Sequence, residues 1–389
     1  MGKTPARSTP AFWNGTNAWV SISDLTSSDK YISQTRECIT DDAITRTGIK
    51  KVPKDTLLMS FKLSLGKVAI TATDIYTNEA IMAFIDKEKY DVDIHYMYHY
   101  FQAIDWTIGT NKAVKGVTLN KIVLSEKVIE LPPINIQHEI AERMDNLNAV
   151  TKNLQHQLTL LDELVKSRFI ELFGDPVTNP KGWKTNLLKN LGELNRGVSK
   201  HRPRNDPELL NGSYPLVQTG DVSNADTYIK EYSSTYSEVG LKQSRMWSKG
   251  TLCITIAANI AKTGILTFDA CFPDSVVGFI PGEQTNQIYI HHWFSFFQKI
   301  LEEQAPQSAQ KNINLQILGN LSVMLPPLAL QNEFAAFVEQ ADKSKFAVLM
   351  HRQILLKTAL LSAMFSSYTN SDRRICKSLH RRSVDNDEL

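Results

Sequence analysis

Leu131-Pro132-Pro133-Ile134-Asn135-Ile136-Gln137-His138-Glu139-Ile140 opens a long apolar helix pattern, and Leu325-Pro326-Pro327-Leu328-Ala329-Leu330-Gln331-Asn332-Glu333-Phe334 opens a second one 194 residues later. Proline fits the first turn of a helix and blocks its extension backwards, so each pair marks a start. After the first start, Ile140, Leu147, Leu154 and Leu161 recur every seventh residue, with Ile136, Met144, Val150, Leu158 and Leu164 beside them. After the second, Phe334, Ala341, Val348 and Leu355 take the corresponding places, with Leu330, Val338, Leu349, Leu356 and Met364 alongside. A seven-residue repeat turns one face towards a partner helix. Each run of roughly 38 residues would span about 55 Å, longer than the core of an ordinary domain.

The regions between the helices repeat too. Trp19-Val20-Ser21-Ile22-Ser23-Asp24-Leu25 aligns with Leu216-Val217-Gln218-Thr219-Gly220-Asp221-Val222, and Tyr31-Ile32 aligns with Tyr228-Ile229. Lys54-Asp55-Thr56-Leu57 then matches Lys249-Gly250-Thr251-Leu252, and Lys115-Gly116-Val117-Thr118-Leu119 matches Lys311-Asn312-Ile313-Asn314-Leu315. Strands are predicted at Ala18–Ile22, Thr56–Phe61 and Val68–Thr71, and a helix within residues 91–107. Asp24 and Asp221 suit a turn or cap rather than an anion. The second copy opens with a leucine-bearing segment, Trp183 through Val198, whose counterpart would precede Met1, so the first domain is expected to lack about 15 residues of its twin.

The expected division is a first α/β domain at 1–131, a central helix at 132–174, a second α/β domain at 175–325, a C-terminal helix at 326–368 and a disordered tail at 369–389. With 389 residues, 42% of them hydrophobic and 22% charged, the chain suits two or three globular domains. It has no transmembrane-length apolar run and no signal-peptide pattern, which places it in the cytoplasm. Cys38, Cys253, Cys271 and Cys376 form no Cys-x-x-Cys pair and read as ordinary thiols.

This order of domain, Leu-Pro-Pro helix, domain and Leu-Pro-Pro helix resembles the specificity subunit of type I restriction-modification enzymes. Gly2-Lys3-Thr4-Pro5-Ala6-Arg7, Trp13-Asn14-Gly15, Trp19–Leu25, the helix end at Phe173-Gly174-Asp175-Pro176 and Lys311–Leu315 also match that family's pattern. The resemblance covers residues 1 to about 366. It implies two target recognition domains in pseudo-two-fold repeat, separated by two long antiparallel coiled-coil helices, with each domain reading half of a bipartite duplex DNA target. It also implies docking of two methyltransferase subunits and of restriction subunits, with S-adenosylmethionine, ATP and Mg held by those partners. The helix positions expected to pair helices or dock subunits are Ile140, Leu147, Leu154, Leu161, Phe334, Val348 and Leu355.

Catalytic motifs are missing from the sequence. It contains no Gly-x-x-x-x-Gly-Lys-Ser/Thr phosphate loop, no Gly-x-Gly-x-x-Gly turn, and no Asn/Asp-Pro-Pro-Tyr/Phe run of the kind that holds a flipped adenine. His138-Glu139 starts like a zinc-protease helix, but Glu142 stands where the second histidine belongs. His95 and His99 share a helix face without further ligands and suit aromatic packing. A helix-borne zinc hydrolase and a coiled-coil adaptor without a DNA role are the rival readings.

DNA contacts need cations for phosphates, and forked donors or amides for base edges. The loop Lys3-Thr4-Pro5-Ala6-Arg7-Ser8 and its counterpart Lys200-His201-Arg202-Pro203-Arg204-Asn205 offer these at matching places, with Lys3, Thr4, Arg7, Lys200, His201, Arg202 and Arg204 as candidates. The polar run Gln307-Ser308-Ala309-Gln310-Lys311-Asn312, paralleled by Gly109–Lys115 with Lys112 and Lys115, is a second set. Lys62, Lys67, Asn259 and Lys262, beside tight strand connections, are a third.

Overall fold

The computed structural model describes residues 1–62, 64–106, 112–113, 116–117, 124, 127–257, 260–304 and 313–384. It divides into two compact units, Met1–Lys152 and Asn153–Leu389, the division falling inside a long helix.

The first unit runs β1 (Trp13–Val20), α1 (Ile22–Ser27), β2 (Tyr31–Ile32), β3 (Glu37–Ile39), α2 (Asp41–Thr47), β4 (Leu57–Ser60), β5 (Val68–Thr71), β6 (Tyr76–Thr77), β7 (Ile81–Phe84) and α3 (Ile94–Ala103). The short pair β8 (Lys112–Ala113) and β9 (Gly116–Val117) precedes α4 (Ile134–Phe173). One sheet has the order β3-β1-β6 and the other β2-β5-β4-β7. Side chains alternate across a strand, and β4 uses both faces. Leu57 and Met59 pack with Phe101 and Trp106 on the α3 side, while Leu58 packs with Val20 and Ile75 towards the other sheet.

The second unit continues with β10 (Thr185–Leu187), β11 (Gly192–Arg196), β12 (Leu210–Leu216), α5 (Thr219–Ser223), β13 (Tyr228–Ile229), β14 (Ser234–Tyr236), α6 (Glu238–Lys242) and β15 (Met246–Trp247). It ends with β16 (Leu252–Thr255), β17 (Thr263–Leu266), β18 (Ala270–Cys271), β19 (Val276–Pro281), α7 (Gln287–Gln304), α8 (Leu315–Gly319), β20 (Ser322–Met324) and α9 (Leu328–Val384). Its sheets have the orders β14-β12-β18-β15 and β11-β19-β16-β17-β13. Here β16 is divided as β4 is: Leu252 and Ile254 face the helix-side core, and Cys253 faces Trp247 and Phe272.

The repeat extends to backbone irregularities. Asn14 and Asn211 both adopt φ 62°, and the register of β1 and of β12 shifts just there. The following glycines leave no room for a side chain: a Cβ at Gly15 would lie 2.3 Å from the Ile39 carbonyl oxygen, and one at Gly212 would lie 2.5 Å from that of Tyr236.

Two sequence readings need adjustment. The strand predicted over Ala18–Ile22 ends at Val20, because the Ser21 side chain caps α1, accepting from the Asp24 amide while Asp24 accepts from the Ser21 amide. The tail expected from residue 369 begins instead as a continuation of α9, whose backbone is helical through Val384; no glycine or proline interrupts Leu328–Val384.

On α4, Met144, Leu147, Thr151, Leu154, Leu158, Leu161 and Val165 are buried or half-buried, and on α9 the same three-four spacing gives Phe334, Val338, Ala341, Lys345, Val348, Arg352 and Leu355. That spacing is a coiled-coil seam. Within the second unit Arg168 pairs with Glu333 and Asp162 with Lys345, so numbering rises along α4 as it falls along α9 and the helices run antiparallel. Val150, Leu164, Leu349 and Leu356, also read as members of the stripe, are exposed because they fall outside the three-four steps. Phe169 and Phe173 of α4, Tyr289 of α7 and Phe334 of α9 form one aromatic cluster in the second core. Among the described residues no helix is long and apolar enough to cross a membrane.

Candidate nucleic-acid interface

Each globular domain is tied to its following helix by one buried glutamine. Gln137 Oε1 accepts from the Asp93 amide (2.9 Å), and its Nε2 donates to the carbonyls of Asp91 (2.9 Å) and Pro132 (2.8 Å). Gln331 repeats this, accepting from the Asn286 amide (3.0 Å) and donating to Gln284 (3.1 Å) and Pro326 (2.9 Å). A side-chain amide suits this place because it has both an acceptor and donors for backbone groups that would otherwise be buried unpaired. Charged anchors add to it. Lys30 Nζ lies 2.5 Å from Asp145 Oδ2 on α4, and His99 Nε2 lies 2.8 Å from the other oxygen. Burial works to raise the Asp145 pKa, but the hydrogen bonds to Lys30 and His99 outweigh it and hold the carboxyl below its ordinary value. In the second unit Lys345 meets Asp162 at 2.6 Å and Asp226 at 3.1 Å.

The basic loops lie on these anchored domains and are held differently. In the first, Lys3 Nζ donates to the Thr47 carbonyl (2.7 Å), Thr4 bonds Glu79, and Arg7 makes a forked pair with Glu37 while lying 3.9 Å above the Trp13 ring. The Glu37 carboxyl is held below its ordinary range chiefly by the Arg7 hydrogen bond. Arg7 therefore has an internal partner for its fork. In the second loop the Gln243 side-chain oxygen accepts from the amides of Lys200 (2.7 Å) and His201 (3.0 Å), and His201 Nε2 lies 3.0 Å from Asp206 Oδ2. Arg202 and Arg204 share the Asp274 carboxylate, at 3.5 and 2.5 Å, and Arg196 of β11 donates through Nε to the Asp274 carbonyl (2.9 Å). The second loop and the end of β11 thus place three guanidinium groups around one aspartate.

The third candidate set is scattered. Lys62 is half-buried with Nζ 5.4 Å from the Phe61 ring centre, and Lys262 is half-buried. Lys67 lines a cleft of about 710 Å³ with Lys30, Asp145 and Lys152. Lys112 lies in β8, while Lys115, Asn259, Gln307, Gln310, Lys311 and Asn312 fall outside the described residues. The zinc-protease histidine, His138, pairs with Asp93 at 3.1 Å. Among the described residues no three His, Cys, Asp or Glu side chains gather as a metal site.

The repeated domain-and-helix unit has a counterpart among known families. The type I restriction modification DNA specificity domain matches residues 1–162 and again 180–357, one match for each copy. The chain belongs to this family. The MjaIX type I restriction enzyme specificity subunit of Methanocaldococcus jannaschii is 24% identical over 264 residues, covering 63% of this chain and 60% of that protein. The EcoBI specificity subunit of Escherichia coli is 22% identical over 286 residues, covering 66% of this chain and 60% of that protein. The chain thus spans 60% of the length of each of these relatives. The same fold occurs in a chain of a type I R-M system assembly (TM-score 0.58, 15% identity, 92% of this chain and 91% of that one). It also occurs in the type I S subunit from M. genitalium (TM-score 0.51, 14% identity, 92% and 91%).

Within the specificity domains, sequence reading singled out the two basic loops but missed their internal anions, Glu37 and Asp274, which lie far away along the chain. It also missed Arg196. The glutamine latch had a signal: Gln137 and Gln331 occupy the same place in the two Leu-Pro-Pro stretches.

Proposed function

We propose that the chain is the non-catalytic DNA-specificity subunit of a type I restriction-modification system, acting in the cytoplasm. Each α/β domain recognises one half of a bipartite duplex target, and the two long helices separate the half-sites and dock methyltransferase and restriction subunits. Those partners hold S-adenosylmethionine, ATP and Mg. The observation that carries this reading is the duplicated specificity domain, each copy latched by an equivalent buried glutamine to a long helix. A rigid domain-to-helix joint is what a device needs if it is to hold two DNA-reading surfaces at a set distance. Co-expression with the cognate methyltransferase, followed by genome-wide mapping of methylated bases, tests it: a split motif with a fixed unread spacer is expected. Binding to the methyltransferase without any sequence-specific methylation would favour an adaptor instead.

A further inference from the structure

The loop after β11 carries more positive charge than its anchor neutralises. Arg202 and Arg204 share one carboxylate, Arg196 is held by a backbone carbonyl of the same residue, and the side chains of Arg202 and Arg204 remain 55% and 47% exposed. Arg202 is further fixed by donating Nη1 to the carbonyls of Ser199 (2.7 Å) and His201 (2.8 Å). A guanidinium fork binds carboxylate and phosphate oxygens in the same planar geometry. The counterpart loop differs, since there a single arginine, Arg7, is matched by a single glutamate, Glu37.

We propose that Asp274 is an internal substitute for a DNA backbone phosphate. It holds Arg202 and Arg204 by its carboxylate and Arg196 by its carbonyl, in the posture with which they grip the duplex. An arriving phosphate takes the place of the carboxylate as the partner of the forks. Asp274 is then a positioning residue that keeps the arginines ordered before binding and competes with DNA for them. This rests on the DNA reading above and adds to it a specific phosphate contact and an anion that tempers it.

The test is equilibrium binding of the full chain to a random-sequence duplex over a series of salt concentrations. Asp274→Asn keeps a hydrogen-bond acceptor but removes the competing charge. It is expected to tighten binding several-fold at low salt, because the carboxylate no longer competes for the forks, while the slope of log affinity against log salt stays that of the same phosphate contacts. A folded Asp274→Asn protein that binds the duplex no more tightly than the unaltered chain overturns the proposal. Should that variant fail to fold, Arg204→Gln decides: a slope shallower by about 0.9 supports the contact, and an unchanged slope overturns it. Loss of affinity through structural damage alone would lower the melting temperature without moving the slope in this way. If the unaltered chain binds no duplex at any salt concentration, the DNA reading itself falls, and the proposal with it.

Discussion

The two globular domains share a plan but differ at one sheet edge. In the second, β11 pairs along β19 from Gly192↔Pro281 to Arg196↔Val277, giving five strands. In the first, the equivalent sheet has four, and among the described residues β7 has only β4 beside it. The lead-in to β11 also fills the second core, with Leu188 at 0% and Leu191 at 2% exposure. In the first domain Ile85, just after β7, is 58% exposed, and Val128, the counterpart of Ser322 in β20, is 88% exposed. An unpaired edge with apolar residues nearby is a surface other strands can join. The comparison teaches that the central strands and the helix latch are common to both copies, whereas among the described residues the edge strand β11 belongs to the second copy.

Three measurements test how far the equivalence goes. The largest effect is expected from Leu188→Ala, which leaves a cavity in the second core and should destabilise that unit by about 2–5 kcal/mol. In calorimetry with separately resolved transitions the first unit should be unmoved, and a parallel shift of both would show that the halves do not melt independently. Next, Gln331→Leu and Gln137→Leu should each cost about 2–3 kcal/mol, because buried backbone groups lose their partners. Denaturant titration should find similar losses in the two units, and a large cost in one alone would break the equivalence of the latch.

The smallest effect concerns acid. His291 and His292 of α7 are both held below the ordinary imidazole pKa by burial, His291 at about 4. His291 Nδ1 lies 2.9 Å from Thr263 Oγ1, and Asp226, Lys345 and Lys166 are the charged groups acting on the pair. Above about pH 6.5 the rings are neutral folded and unfolded, so their full contribution is present. As pH falls the unfolded chain takes the protons first, and stability is lost between about 6.5 and the folded value near 4. The loss from His291 should reach about 1 kcal/mol by about pH 5.5. In the first unit His99 is also lowered by burial, but its bond to Asp145 opposes the shift. Melting temperatures measured from pH 7 to 5 should therefore fall more steeply for the second unit, and equal slopes would remove the distinction.

The duplication and the helix starts were legible because proline geometry and a seven-residue apolar period are local signals. The roles of Asp24 and Asp221 were legible for the same reason: each accepts from an amide three residues earlier, Ser21 at 2.9 Å and Gln218 at 2.7 Å. The state of the candidate arginines was not. Whether Arg7 faces solvent or a carboxylate depends on Glu37, 30 residues along, and the partner of Arg204 lies 70 residues away. Such pairings are created by strand order, which spacing along the chain does not encode. Helix phase was half legible: the seven-residue series held, but Leu164 and Leu349 were assigned to a stripe they lie beside.

Lys345 gives the helix pair a phase lock. An apolar seam repeats every seven residues, so sliding α9 one heptad along α4 would return leucine-like faces to one another at little cost in contact area. The slide would carry the Lys345 ammonium about 10 Å from Asp162, leaving an almost fully enclosed cation with Asp342 of its own helix, 3.6 Å away, but without its closest partner across the seam. Only one of the otherwise degenerate alignments satisfies that charge. The hydrophobic residues of these helices provide adhesion, and a single lysine selects the notch at which they stop.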